Sequence, residues 1–210
     1  MLLLPVADLA PLLPPATTAL VVVDAQVDFA APHGRLGRAG VDLSAIAPAL
    51  ARAEGLVAAA RAAGVAVAFL RVVTRPQSDS PALQALMARR GMAGGEAICR
   101  ADDGGADFYR LAPRSGDITV EKPLFDGFHA TDLDAQLRAR GIETLVLAGF
   151  STDCCVAATA GSGFHRGYHI FVAGDACATY EAQWQEAALA QMARHCALVV
   201  ATGAIVAAWA

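Results

Sequence analysis

Two adjacent cysteines, Cys154 and Cys155, are the residues of this chain best suited to nucleophilic chemistry. They follow an apolar run at 143–149 that predicts a buried strand, and a small, helix-compatible run comes after them. Thr152 and Asp153 are suitable N-cap residues, so we expect the cysteines in the first turn of a helix. Unpaired N–H groups and the helix dipole at such a position lower the pKa of a thiol and stabilise an oxyanion. The segment therefore predicts a reactive thiolate.

Two charged residues elsewhere in the chain could act on such a thiol. Asp24 ends the apolar run 19–23, and Lys122 follows the short run 117–120. A carboxylate beside the thiol could take its proton and later activate a water molecule as a general base. An ammonium beside the same thiol would favour the thiolate and orient the carboxylate. The reach of Lys122 depends on the path of the loop that carries it.

Apolar runs and helix-compatible runs alternate along the chain, which predicts strands alternating with helices. The predicted strands are 19–23, 65–71, 117–120, 143–149, 168–173 and 197–201. The predicted helices are 43–63, 81–90, 131–140, the segment after the cysteine pair, 180–195 and a short C-terminal helix. Residues 91–105 are expected to form a long loop.

This alternation predicts the fold class. We expect an α/β fold with a three-layer, doubly wound, mostly parallel sheet of six strands in the order 3-2-1-4-5-6, and helices on both faces. Strands one and four would meet at the switch point, where ligands bind outside the carboxyl ends of the strands. Asp24 and Cys155 would then share one crevice although 131 positions separate them. The chain, 1–210, is predicted to be a single domain.

Composition narrows the function classes. Apolar residues make up 56% of the chain and charged residues 17%, which is typical of a folded globular protein. The net charge of −4, with no basic run, argues against a nucleic-acid partner. Residues 1–18 contain no Lys or Arg and so lack the charged start of a secretory signal, and the apolar stretch 197–210 is too short to span a bilayer. We therefore expect no membrane partner and a cytoplasmic location.

The cysteine pattern agrees with that location. An odd number of cysteines with one adjacent pair argues against a disulfide framework. No Cys-x-x-Cys spacing is present, which excludes a zinc ribbon and a thioredoxin-like motif. The five cysteines are Cys99, Cys154, Cys155, Cys177 and Cys196.

Three stretches carry motifs in a defined order. The first is Val-Val-Asp-Ala-Gln-Val-Asp-Phe at 22–29, and the second is Glu-Lys at 121–122, followed by Phe128 and by Thr-Asp-Leu at 131–133. The third, at 149–159, contains Gly-x-x-Thr-x-x-Cys-Val followed by Ala-Thr. Together they resemble the isochorismatase-like cysteine hydrolases, which include nicotinamidases, N-carbamoylsarcosine amidohydrolases, ureidoacrylate and biuret hydrolases and isochorismatase itself. The resemblance covers residues 18–201.

The resemblance implies a role for each matching residue. Cys155 corresponds to the nucleophile, Asp24 to the general base and Lys122 to the lysine of the catalytic triad. A cis peptide would fall between Phe150 and Ser151, and the backbone N–H groups of Ser151 and Cys155 would form the oxyanion hole. The implied reaction is hydrolysis of a C–N bond in a small amide or ureido substrate, through a thioester-type intermediate and with release of ammonia or an amine.

The resemblance also bears on binding and assembly. Gln26, Phe29, Phe128 and Phe150 are candidates to line the substrate pocket, and Arg71, Arg75 and Arg100 could bind a substrate carboxylate. The Asp and clustered His of metal-dependent nicotinamidases have no counterpart in this chain, so we expect neither a metal nor another cofactor. Members of the family usually form dimers or tetramers, which implies a homodimer or homotetramer here.

Three alternatives remain open. Isochorismatase itself cleaves a vinyl ether, although retention of a cysteine favours C–N hydrolysis. The cysteine pair could instead form a vicinal disulfide in a redox protein, which would leave Asp24 and Lys122 without a role. The chain could also be a non-catalytic member of the fold that serves in binding or assembly.

Overall fold

The computed structural model describes residues 8–77, 79–91 and 98–210, and its centre is a six-stranded sheet. All neighbouring strands are parallel, in the order β3-β2-β1-β4-β5-β6. The predicted fold class and strand order are confirmed. The strands are β1 (Thr18–Val23), β2 (Ala66–Val72), β3 (Ile118–Lys122), β4 (Thr144–Phe150), β5 (His169–Ala178) and β6 (Leu198–Val200).

Helices cover both faces of this sheet. The core on one face contains the buried residues of α3 and α8, and the core on the other face contains those of α5, α6 and α7. A π-helical turn, Thr152–Val156, joins β4 to α6. The helices are α1 (Val27–Ala30), α2 (Arg35–Arg38), α3 (Ile46–Ala62), α4 (Pro81–Arg89), α5 (Leu133–Ala139), α6 (Ala157–His165), α7 (Ala182–His195) and α8 (Thr202–Ala208).

The two central strands, β1 and β4, are buried along their whole length. Near-continuous apolar runs predict this burial, because both faces of a parallel sheet are covered. The register places Val23 beside Gly149, which has a φ of 120°. A side chain at position 149 would collide with the backbone of Val23, so this close approach of the two strands requires glycine.

Strand β5 departs most from the prediction. The apolar run ends at Ala173, but the strand continues to Ala178 with a register shift against β4. Asp175 lies within this extension and accepts hydrogen bonds from the backbone N–H and the hydroxyl of Thr202 at 2.8 and 2.9 Å. The extension therefore supports the start of α8 and carries Tyr180 to the carboxyl edge of the sheet.

The predicted loop 91–105 is only partly covered, because 92–97 lie outside the described residues, as do 1–7 of the apolar N-terminal stretch. From residue 98 onward the chain forms isolated β-bridges that link Arg100 to Thr74 and Phe108 to Gln26. In the part of the chain that is described, no helix is long and apolar enough to cross a bilayer.

Candidate active site

Asp24 and Lys122 form a fully buried ion pair at the carboxyl edge of the sheet. Lys122 Nζ lies 2.8 Å from Asp24 Oδ2 and also donates a hydrogen bond to the carbonyl oxygen of Leu124 at 2.9 Å. Lys122 ends β3, and Asp24 follows β1, with β2 between them. The long lysine side chain therefore crosses the end of β2 to reach the carboxylate, so the two charges meet from strands that are not neighbours.

The backbone of Asp24 has an uncommon conformation. Its φ is 50°, in the left-handed region, and its N–H donates to the carbonyl oxygen of Leu70 at 3.0 Å. Non-glycine residues in this region cost energy and are common at functional sites. The second carboxylate oxygen, Oδ1, is buried and has no close hydrogen-bond partner among the described residues. One oxygen thus binds the ammonium, and the other remains available as an acceptor.

Burial and pairing act in opposite directions on this ion pair. Burial raises the pKa of Asp24, and the charge of Lys122 and the Cys155 thiol only partly offset that rise. Burial by itself would lower the pKa of Lys122, but attraction to Asp24 and to the sulfur of Cys155 outweighs it, so the pKa of the amine is raised. Lys122 therefore stays an ammonium, and Asp24 accepts a proton more readily than an ordinary aspartate.

Cys155 lies in the π-helical turn and faces this pair. Its residue surface is only 4% exposed. The hydrogen bond with Cys154, burial of the sulfur and the charge of Asp24 together raise the pKa of the Cys155 thiol well above its ordinary value, although Lys122 opposes them. The expectation of a thiol with a lowered pKa was wrong, because the hydrogen bond with Cys154, burial and a neighbouring carboxylate outweigh the start of a helix. The raised pKa favours the neutral thiol form of Cys155 beside the Asp24 carboxylate.

The second cysteine has a different environment. Cys154 is half-buried, and hydrogen bonding with the Cys155 thiol lowers its pKa. Both cysteines are free thiols. Cys155 therefore has the more enclosed position next to the ion pair, and Cys154 is the more accessible of the two thiols.

The turn between β4 and the cysteines contains the cis peptide bond that the resemblance implies, between Phe150 and Ser151. The carbonyl oxygen of Ser151 accepts hydrogen bonds from the N–H groups of Cys154 and Val156, at 3.2 and 3.1 Å. These bonds close the π-helical turn directly after the strand. Ser151 itself remains partly exposed at the carboxyl edge.

The four candidate pocket residues occupy different environments. Gln26 is fully buried, and its amide is saturated: Nε2 donates to the carbonyl oxygens of Val72 and Ala106, and Oε1 accepts from the N–H of Val72. Phe150 is buried in the core beneath α3. Phe128 is buried on the opposite face and stacks on the ring of Tyr168 at 5.9 Å.

Phe29, the fourth candidate, is half-buried at the carboxyl edge, where it packs against Val72, Val73, Cys99 and Ala106. This contact leaves Phe29 as the candidate with part of its ring exposed near the ion pair. The saturated amide of Gln26 and the burial of the other two rings favour packing roles for those residues.

The arginines considered for a substrate carboxylate already bind carboxylates of the protein. Arg71 and Arg75 both pair with Glu121, at 2.5 and 3.1 Å. Arg100 forms a two-pronged ion pair with Asp79, with contacts of 3.0 and 2.7 Å. Binding a substrate carboxylate at these positions would require the existing pairs to break.

Tyr180 is not among the predicted site residues, but it lies close to the predicted triad. Its hydroxyl donates a hydrogen bond to the carbonyl oxygen of Phe29 at 3.2 Å. Burial raises the pKa of Tyr180, and the nearby Cys155, Asp24 and Cys99 raise it further. The full length of β5 would have indicated this residue, because Tyr180 then follows the strand next to the one that leads to Cys155.

Comparisons with known proteins agree with this geometry. The family model described as the isochorismatase domain matches residues 18–204. A ureidoacrylate amidohydrolase, RutB, from Methylobacterium radiotolerans is 41% identical to the chain over 176 residues, which cover 78% of this chain and 68% of that protein.

Two solved structures give the same result at the level of the fold. A cysteine hydrolase from Pseudomonas syringae pv. phaseolicola is 31% identical, with a TM-score of 0.82 and 93% of each chain covered. An N-carbamoylsarcosine amidase from Thermoplasma acidophilum is 30% identical, with a TM-score of 0.72, and the match covers 89% of this chain and 96% of that one. The chain belongs to the isochorismatase family.

Proposed function

We propose that this protein is a cysteine-dependent hydrolase that cleaves a C–N bond of a small ureido or amide substrate. The single observation that carries the proposal is the buried Asp24–Lys122 pair directly beside the Cys155 thiol. A buried ion pair is costly unless its geometry is excellent and its remaining polar atoms are hydrogen-bonded, and here one carboxylate oxygen lacks a close partner among the described residues. Similarity to an amidohydrolase and to an amidase supports the same reaction class.

Asp24 acts first as a base in this mechanism. The proton moves from the Cys155 thiol to the Asp24 carboxylate, which leaves a thiolate, a neutral carboxyl group and the Lys122 ammonium. The total charge of the buried cluster does not change in this step, because one anion replaces another beside the same cation. The raised pKa of Asp24 brings its proton affinity closer to that of the thiol.

Attack by the thiolate then follows the usual course of acyl transfer. The sulfur adds to the substrate carbonyl carbon, and the negative charge develops on the carbonyl oxygen, where the N–H groups of Ser151 and Cys155 would stabilise it. The protonated Asp24 donates its proton to the leaving nitrogen, which departs as ammonia or an amine. A water molecule deprotonated by Asp24 attacks the remaining thioester, or thiocarbamate, and releases the acid and the free thiol.

A panel of substrates tests this proposal. Ammonia release would be measured with a ureidoacrylate, an N-carbamoyl amino acid, biuret and a primary amide, and pyruvate release with a vinyl ether. We expect turnover of at least one C–N substrate and none of the vinyl ether. A covalent adduct on Cys155, trapped by acid quench and found by mass spectrometry, would identify the nucleophile.

Cys154→Ser provides the matched control, since it changes a thiol one residue away. It should keep turnover within about tenfold, because Cys154 affects the nucleophile only through one neutral hydrogen bond. Turnover confined to the vinyl ether, or an adduct on Cys154 instead of Cys155, would contradict the proposal.

We also propose a reducing, cytoplasmic location and a homodimeric or homotetrameric state. The mechanism needs a free thiol at Cys155, and all five cysteines are free. Large exposed side chains on α6 and α7, Phe164 at 49% and Trp184 at 52%, are suitable for contact between subunits. Light scattering on the purified protein measures the oligomeric state directly.

A further inference from the structure

One segment, residues 98–109, packs against the stretch that follows Asp24; we call it the cover segment. Its backbone pairs with the residues that follow Asp24. The N–H groups of Val27 and Asp28 donate to the carbonyl oxygens of Asp107 and Gly105, at 2.9 and 3.1 Å. The N–H of Tyr109 donates to the carbonyl oxygen of Ala25 at 2.8 Å. These bonds attach the cover segment to the stretch that carries the proposed base.

The side chain of Asp28 accepts two backbone hydrogen bonds, one from the cover segment and one from the first residue of α2. Its Oδ2 accepts a hydrogen bond from the N–H of Cys99 at 2.8 Å, and its Oδ1 accepts one from the N–H of Arg35 at 2.8 Å. Asp28 is only 3% exposed, and a side chain at position 105 would collide with its carboxylate. Gly105 is therefore required for the cover segment to lie against Asp28.

Cys99 is the residue of the cover segment under most strain. Its φ is 56°, its surface is fully buried, and its carbonyl oxygen accepts a hydrogen bond from the N–H of Thr74 at 2.9 Å. Its side chain packs on Val72 and Ala106, next to the end of β2 that the Lys122 side chain crosses. The charges of Asp24 and Lys122 both act on its thiol, which places Cys99 near the ion pair. A left-handed residue with a side chain needs such support to persist.

We infer that Asp28 is a positioning residue of the active site: its carboxylate holds Cys99 in the left-handed conformation and so keeps the cover segment closed over the Asp24–Lys122 pair. The closed segment excludes water from the pair and fixes the loop beside Phe29. The inference rests on the proposed function in its kinetic part only, because closure of the segment is measurable without any substrate.

Cysteine alkylation tests closure in the full-length protein. Asp28→Asn replaces one carboxylate oxygen with an NH₂ group. One of the two backbone N–H groups that donate to Asp28 then loses its acceptor. The rate of modification by iodoacetamide would be followed separately at each cysteine by mass spectrometry. We expect Cys99 and Cys155 to react about 10- to 100-fold faster in the variant, from the loss of one charge-assisted hydrogen bond. Cys177 is a buried residue of β5, and its alkylation rate should not change.

Two outcomes would overturn the inference. Unchanged rates at Cys99 would mean that Asp28 does not hold the cover segment. Equal acceleration at Cys99 and Cys177 would mean that Asp28 supports the whole fold. Asp42→Asn is the matched control: Asp42 also accepts a backbone N–H, from Ser44 at 2.8 Å, but on the exposed surface, and its replacement should leave all rates unchanged.

The kinetic part separates positioning from loss of folded protein. With turnover expressed per alkylatable Cys155, we expect Asp28→Asn to lower kcat and kcat/KM together by about 10- to 100-fold, as loss of transition-state positioning does. A merely destabilised protein would lose active sites but keep the turnover of each remaining one, and that result would reject the positioning role. If the wild type hydrolyses no substrate, the proposed function fails while the alkylation result still decides the role of Asp28.

A pair of variants at Cys99 gives an independent test. Cys99→Gly keeps the N–H and adopts a positive φ without strain, whereas Cys99→Val disfavours it. We expect fast alkylation of Cys155 in the valine variant and a near wild-type rate in the glycine variant. Similar rates in both would show that the left-handed backbone is not what keeps the segment closed.

Discussion

The two ends of the sheet differ in almost every property that bears on chemistry. At the amino ends of the strands lies an open groove of about 540 Å³, lined by residues such as Glu143, Tyr168, His169 and His195. At the carboxyl ends, an ion pair and a thiol are enclosed, with Cys155 only 4% exposed. An open groove of this kind would by itself direct attention to the amino ends.

Burial, and not open volume, therefore distinguishes the end of the sheet where we propose the active site. Lys122 and Asp24 are held away from water with shifted pKa values, and three residues at this edge, Asp24, Cys99 and the neighbouring Arg110, have left-handed backbones. Strained residues and perturbed acids cluster at functional sites. The groove at the other end has exposed histidines, and in the described part of the chain no group of three His, Cys, Asp or Glu could hold a metal ion.

Two buried thiols give the sharpest test of this contrast. Cys155→Ala removes the proposed nucleophile, and we expect kcat/KM to fall about 10⁴- to 10⁶-fold with little change in melting temperature. Cys177→Ala removes a thiol from the core, where burial raises its pKa to about 12. That control should cost about 1 kcal/mol of stability and leave turnover intact. Equal losses of activity in the two variants would remove the distinction between them.

Substitutions in the buried ion pair should have the next largest effect, on both stability and activity. Lys122→Met leaves an unpaired buried carboxyl group, and breaking such a pair costs about 3–5 kcal/mol of unfolding free energy. The double variant Asp24→Asn/Lys122→Met should regain stability but not activity. Arg110→Met breaks a partly exposed pair with Glu54 and should cost about 0–1 kcal/mol. Chemical denaturation measures all three, and a stable, active Lys122→Met enzyme would contradict the proposed site.

The dependence of kcat/KM on pH tests the Asp24–Lys122 pair without replacing either residue. Asp24 must be ionised to take the thiol proton, and its pKa is raised by burial. Activity is therefore lost as pH falls through that raised pKa, and the acid limb of kcat/KM should lie above the ordinary aspartate value of 3.8. Lys122 lowers the pKa of Asp24, so any residual activity of Lys122→Met should show an acid limb at higher pH. A shift in the other direction would exclude Asp24 as the titrating base.

The smallest effect should come from the groove at the amino ends. His195 lies exposed at the end of α7, far along the strands from the ion pair. We expect His195→Ala to change kcat/KM by less than about twofold and stability by about 0.5 kcal/mol or less. A larger loss of turnover, measured with the same ammonia assay, would show that the two ends of the sheet are coupled.

The sequence predicted those parts of the site that depend on local patterns. The apolar runs around Val23 and Leu147 indicated central strands, and strand order then brought Asp24 and Cys155 to one edge. The motif at 149–159 indicated the turn in which Cys155, the proposed nucleophile, lies. Asp175 and Tyr180 were harder to interpret, because Gly174 interrupts the apolar run of β5 while the strand continues.

What the sequence determined by itself was the fold and the strand order, because periodicity and spacing are properties of the chain alone. The resemblance of its motifs then pointed to Asp24, Lys122 and Cys155 as the candidate acid, amine and sulfur. Only the tertiary structure decided the direction in which the pKa of Cys155 is shifted, since the hydrogen bond with Cys154, burial and the Asp24 charge outweigh the helix start. It also decided that Gln26 is saturated by backbone groups and that Asp28 binds Cys99. Those properties depend on which distant groups share a dry environment, and no local pattern records that.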